Sequence, residues 1–135
     1  MFPFFWIFSN WAIFFLRIIL GVILVAHGWP KLKNLKSTAE WLSSVGFKPG
    51  NFWAPVVAIV EFVGGLLLIV GILVQPISIL LIIQFLIINI WKIATKKPLV
   101  NGFEFDLLIL GAALVALTVE TDINIFNLFS WFGLL

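Results

Sequence analysis

The chain has 135 residues, of which 63% are apolar and 10% charged, and a formal charge of +2. Its apolar runs are long enough to cross about 30 Å of hydrocarbon, so residues 1–135 read as one small polytopic membrane domain with no room for a second, soluble one. Cysteine is absent and Met1 is the sole methionine, which excludes disulfides, thiol redox catalysis, cysteine-held iron–sulfur clusters and an internal methionine ligand for haem.

The opening MFPFFWIFSNW carries no Lys or Arg and no small-residue cleavage pattern, and reads as the lead-in to a first helix, not as a secretory signal. That helix is expected from about Phe8 to Trp29, with Pro30 ending it because proline cannot donate to the ladder. The segment Lys31 to Asn51 is too polar to span. Within it, Ala39, Trp41, Leu42 and Val45 predict a short amphipathic helix between Lys36 and Gly46, lying on the membrane surface. The second span is expected over about Trp53 to Val74, and Gln75-Pro76 makes a tight turn into the third, about Ile77 to Ala94. Polar Thr95 to Asn101 separates this from a fourth span over about Gly102 to Val119. Only the 13 residues Leu107 to Val119 of that span lack charge, or about 20 Å of helix, so Asp106 and Glu104 are drawn to the membrane edge. From Ile123 to Leu135, Asn124, Asn127 and Ser130 recur at threefold spacing among apolar residues, as in an interfacial helix. The fold class predicted is an all-α, four-transmembrane-helix bundle with an amphipathic helix between helices 1 and 2 and an interfacial C-terminal segment.

Charge placement predicts orientation. Lys31, Lys33, Lys36, Lys48, Lys92, Lys96 and Lys97 gather at one side, and Glu120 and Asp122 at the other, so the positive-inside rule puts the long loops in the cytoplasm and both termini outside a cell membrane. Trp29, Trp41, Trp53 and Trp91 then fall at the inner boundary and Trp6, Trp11 and Trp131 near the outer one, as aromatic belts require. Glycines 21, 28, 64, 65 and 71 permit close helix approach where lipid supplies no hydrophobic drive.

Polar residues inside the spans form a ladder. Measured from the inner edge, Glu104, Asp106 and His27 lie within about 6 Å, Asn89 and Glu61 at about 8 to 12 Å, Gln84 near about 15 Å and Arg17 near about 18 Å. A lone charge in a membrane helix costs roughly 2.5 to 3.5 kcal/mol, which favours a pair. The expected pair is Arg17 with Glu61, Gln84 being its third partner, either as a functional core or as a staple between helices 1 and 2. His27 either caps the carboxyl end of helix 1 or exchanges protons and grips a head group opposite Glu104 and Asp106. One histidine and two acids are too thin a set for a metal, and the lysines read as a solvated surface facing lipid phosphates.

Read in order, these residues resemble the DoxX family of small four-helix membrane proteins. The resemblance rests on Arg17 with Gly21, on His27-Gly28-Trp29-Pro30-Lys31-Leu32, on the Gly46-Phe47 and Pro49 loop, on Val60-Glu61-Phe62-Val63-Gly64-Gly65-Leu66-Leu67-Leu68 with Gly71, and on Asn101-Gly102-Phe103-Glu104-Phe105-Asp106-Leu107-Leu108. It covers about Ala12 to Val119. The family includes and borders on membrane subunits of thiosulfate:quinone oxidoreductases, and the resemblance implies Arg17, His27, Glu61 and Glu104 as the functional set. Many relatives carry a second histidine near the end of helix 3, where this chain reads Asn89-Ile90-Trp91-Lys92.

The leading expectation is a redox-associated subunit whose inner polar cluster, Arg17, His27, Glu61, Gln84, Asn101, Glu104 and Asp106, binds a quinone head group or a small polar ligand between Phe and Leu walls. No cofactor is expected to be held covalently. The chain shows no fingerprint for flavin, nucleotide, haem or iron–sulfur, so electrons need a partner subunit or a quinone in exchange. Two alternatives stand beside it, a carrier of small anions or protons, and a purely structural membrane anchor. The partners expected are the bilayer, redox-complex subunits and further copies of the chain, and no nucleic acid.

Overall fold

The structure, a computed structural model, describes residues 3–119 and 125–134. A 3-10 turn over Pro3–Phe8 leads into α1 (Ser9–Lys33), followed by α2 (Leu35–Ser44), α3 (Gly50–Val70), α4 (Val74–Ala94), α5 (Glu104–Thr118) and α6 (Ile125–Trp131). Four stretches, Phe4–Lys33, Gly50–Val70, Val74–Ala94 and Leu99–Thr118, are long and apolar enough to cross a membrane. The protein is thus an all-α, multi-pass membrane protein whose outward apolar side chains meet lipid.

Buried residues recur along the spans at alternating steps of four and three. On α1 they are Arg17, Gly21, Leu24 and Gly28, and on α3 Ala54, Ala58, Glu61, Gly65 and Leu68. This 3.5-residue spacing keeps one seam of each helix against a neighbour crossing at a shallow angle. The α1/α3 seam brings backbone against backbone. A Cβ on Gly21 would stand 2.6 Å from the Gly65 carbonyl oxygen, and one on Gly28 would stand 2.5 Å from the Phe62 nitrogen, so the two backbones touch where any side chain would hold them apart. Leu81, Phe85 and Ile88 of α4 meet Ile109 and Ala113 of α5 in a second seam. Around the bundle the order is α1, α3, α4, α5, with extensive α1/α3 and α4/α5 contacts and narrower ones at α3/α4 and α1/α5.

The observed ends differ from the expected ones in three informative places. First, α1 does not stop at Pro30 but runs on to Lys33. Proline at this position removes only the bond to Ala26, while its own carbonyl still accepts from the Asn34 N–H at 3.0 Å, so the last turn stays closed. Second, the turn between α3 and α4 is Gly71–Leu73, and Gln75-Pro76 belongs to the first turn of α4. Proline is tolerated there because the first N–H groups of a helix have no intrahelical partner, while Gly71, at φ 89°, supplies the left-handed end of α3. Third, the amphipathic helix α2 turns its apolar face to protein. Ala39, Leu42 and Val45 pack on Ala54 and Val57 of α3, and Gly50 lies so close that a Cβ there would be 2.1 Å from the Ala39 carbonyl oxygen. The C-terminal helix is present as α6, with Trp131 beside Trp11 at 6.5 Å between ring centroids. Glu120, Asp122 and Asn124 lie outside the described residues.

Candidate functional site

Glu61 is the polar centre of the bundle. It is 0% exposed, and three short bonds hold its carboxylate: Lys31 Nζ donates to Oε1 and to Oε2 at 2.6 Å each, and Gln84 Nε2 donates to Oε1 at 2.6 Å. The expected partner of Glu61 was Arg17; the structure corrects this to Lys31. The reason is the continuation of α1. Carried past Pro30, the seam Arg17, Gly21, Leu24, Gly28 takes its next step at Lys31, level with Glu61 across the glycine contact, while Arg17 lies more than two helical turns further along the same seam. Lys31 is 26% exposed at its side chain, so the pair runs from a sealed carboxylate to an ammonium near the lysine-bearing end of the bundle.

Gln84 reaches Glu61 from α4 and bridges the narrow α3/α4 seam. Beside it lies a cavity of about 160 Å³, lined by Gln84 together with Phe47, Trp53, Val57, Val60 and other apolar residues of α3 and α4. Of the candidate set, only Gln84 lines this cavity. The expected gathering of Arg17, His27, Glu61 and Glu104 round one chamber is not found there.

The remaining candidates occupy separate places. Arg17 is buried, 5% exposed, with its guanidinium carbon 5.5 Å from the Phe14 ring centroid. His27 reaches the level of Glu104 and Asp106 but stacks on the ring between them, Phe105, at 5.1 Å and 25°. Its Nδ1 is 2.8 Å from the Ile23 carbonyl oxygen, which can only accept, so Nδ1 carries the proton. Glu104 Oε1 accepts from the Asn101 backbone N–H at 3.1 Å, reaching back over the turn that leads into α5, with Asn101 left-handed at φ 58°. Asp106 is held by Lys92, which also donates to the Gly102 carbonyl at 3.1 Å. Asn89 is 3% exposed and donates to the Phe85 carbonyl at 2.7 Å.

Among the described residues each adjacent pair of helices is therefore tied at or towards the lysine end by a specific contact: Lys31–Glu61 for α1 and α3, Glu61–Gln84 for α3 and α4, Lys92–Asp106 for α4 and α5, and His27–Phe105 for α5 and α1. Lys31 and Lys92 were missed as members because lysines near span ends usually snorkel to water. The signal that marks Lys31 is its step of three from Gly28 along the glycine-bearing face.

The chain is similar in sequence to known proteins. The DoxX family model matches residues 12–93, a stretch that contains Lys31, Glu61 and Gln84 and ends before Asn101, Glu104 and Asp106. A protein of Bacillus subtilis (strain 168), CatD, whose name marks it as a proposed oxidoreductase, is 34% identical over 104 residues, covering 76% of this chain and 75% of that protein. No solved structure matches. With the family model spanning α1 to α4 and a relative of this identity over three quarters of both chains, the protein belongs to the DoxX family.

Proposed function

We propose that the protein is a redox-associated membrane subunit whose α3/α4 cleft receives the ring-sized head group of a lipid-soluble compound, of which a quinone is the leading example, beside the Glu61–Gln84 pair. The observation that carries this reading is that Gln84 belongs both to the buried polar centre and to the cavity wall. Size favours a single ring: an apolar cavity of about 150 Å³ holds one benzene, whereas drug-sized ligands need about 300 Å³ or more. The outer lip of the cleft includes Leu80, Ile83 and Ile87, all exposed on the lipid face, which suits a ligand that arrives through the bilayer and leaves an apolar tail there. The oxidoreductase name of the relative supports the redox half of the reading. In the same proposal the lysine-bearing end faces the cytoplasm of a cell membrane, and partner subunits or further copies of the chain complete the assembly.

The test is chemical. Protein purified in mild detergent is extracted with solvent, and ring-bearing lipids are quantified per chain for the wild type and for Val60→Phe, which sets a phenyl ring inside the cavity. Binding in the cleft predicts a bound compound that the variant loses; equal amounts in both overturn the assignment. A second reading, a structural anchor, is favoured by the closure of both ion pairs, Lys31–Glu61 and Lys92–Asp106, and predicts no retained compound in either protein.

A further inference from the structure

The polar group that the cleft offers to a ligand has a fixed sign. A glutamine side chain donates through nitrogen and accepts through oxygen, whereas an ionised carboxylate only accepts. Glu61, both of whose oxygens face the Lys31 ammonium, therefore takes the donor end of the Gln84 amide, and Nε2 is indeed the end that points to it, at 2.6 Å. Turning the amide over would set carbonyl against carboxylate in a site that is 0% exposed at Glu61 and 8% exposed at Gln84. The amide oxygen lies on the other branch of a side chain that lines the cleft, beside walls that include Phe47, Trp53 and Val60.

We propose that Gln84 Oε1 faces the chamber and that the cleft selects its ring compound by a hydroxyl that donates to this oxygen, so that the hydroxyl-bearing, reduced form of a ring head group binds in preference to the carbonyl-bearing form. Glu61 is a positioning residue in this scheme: it never touches the ligand but sets the preference by fixing the amide. The inference rests on the cleft being a ligand site, as proposed above, and adds the chemistry of what that site accepts. The physical basis is that a site built to pair a hydroxyl discriminates strongly against an analogue lacking it, because the buried acceptor is then left unpaired, and lipid offers no water to replace it.

The experiment uses the full chain in detergent and two probes that differ by an O-methyl group, 4-fluorophenol, which donates, and 4-fluoroanisole, which does not, followed by fluorine NMR. Val60→Phe protein provides the reference for partition into micelles. The expected result is tighter binding of the phenol by at least about tenfold, lost in Gln84→Met through weakening of the phenol alone. The double variant Lys31→Met with Glu61→Gln, which removes both charges and frees the amide to turn, keeps the cavity and narrows the preference. Its melting temperature, measured in parallel, shows that the fold is retained, and Gln84→Met gives an independent reading if it is not. Equal binding of both probes, or tighter binding of the anisole, overturns the selection rule while leaving the cleft a ligand site. Failure of both probes to bind above the Val60→Phe reference overturns the cleft itself and the rule with it.

Discussion

Lys31 Nζ sits 2.6 Å from both oxygens of Glu61, and the two side chains differ sharply in their access to water, 26% exposed for the lysine against 1% for the glutamate. The consequence is an asymmetry in what each contributes. Without Lys31, Glu61 is left as a buried charge that no rotamer brings to water. Without the carboxylate, Lys31 has a four-carbon stem with which to swing its ammonium towards the polar end. Removing one member of a buried pair costs about 3 to 5 kcal/mol when the other stays sealed. Lys31→Met is therefore expected to lower thermal stability in detergent by that order, and Glu61→Gln, which retains a partner for Gln84, by clearly less. Equal losses in the two melts would contradict the burial difference.

The same geometry separates Lys31 from Arg17 as a partner of Glu61. A double-mutant cycle between Lys31→Met and Glu61→Gln should show coupling of about 1 kcal/mol or more, and one between Arg17→Ala and Glu61→Gln should be additive within about 0.5 kcal/mol. Strong Arg17–Glu61 coupling in the unfolding data would place the guanidinium at the carboxylate after all.

The fold class was legible because hydrophobic length and lysine placement act locally: each span declares itself without reference to its neighbours. Partner choice was not, because it depends on where a helix ends. Pro30 reads as a stop in isolation, yet a proline in the last turn removes one bond only, and the extra turn it permits brings Lys31 to Glu61. A similar dependence hides the local partner of Glu104. On a one-dimensional ladder its carboxylate has no visible neighbour before α5, but the left-handed backbone at Asn101 turns the Asn101 N–H back to it. Gln84 was correctly linked to Glu61, since depth along two antiparallel helices is conserved whatever the details of their ends.

Glu104→Ala should cost only what one exposed hydrogen bond contributes, about 0.5 to 1.5 kcal/mol, whereas Asp106→Ala leaves Lys92 with the Gly102 carbonyl alone in the α4/α5 connection and should cost more. Glu104→Gln, whose amide oxygen still accepts from Asn101, should be close to the wild type. Melting temperatures of the three variants give the order, and a Glu104→Ala loss larger than that of Asp106→Ala would show that Glu104 does more than hold this turn.

Glycine substitutions test the α1/α3 seam against an internal control. A methyl on Gly21 or Gly28 meets backbone atoms of α3 at 2.6 and 2.5 Å, and backbone cannot rotate away as a side-chain tip can, so Gly21→Ala and Gly28→Ala must push the helices apart. Gly111 of α5 has nothing within 4 Å of such a methyl, and there the gain in helix propensity, about 1 kcal/mol, is unopposed. The expected outcome is destabilisation at positions 21 and 28 and a neutral or slightly raised melting temperature at 111. Destabilisation of all three alike would point to a general intolerance of the helices, not to the seam.

Topology is the prediction on which the proposed orientation depends. Lys48 lies in the connection between α2 and α3, and Ile72, 42% exposed, in the turn between α3 and α4. The intervening helix has 21 residues, about 32 Å at 1.5 Å each, which matches the hydrocarbon thickness with nothing to spare. Cysteines are absent from the native sequence, so Lys48→Cys and Ile72→Cys each introduce a single thiol. A membrane-impermeant maleimide applied to sealed right-side-out vesicles should label Ile72→Cys and leave Lys48→Cys untouched until the membrane is opened, because the proposed orientation puts the lysines beside position 48 in the cytoplasm. The reverse pattern would preserve four spans and invert them, placing the lysine end outside. Labelling of both from one side would mean that α3 does not cross.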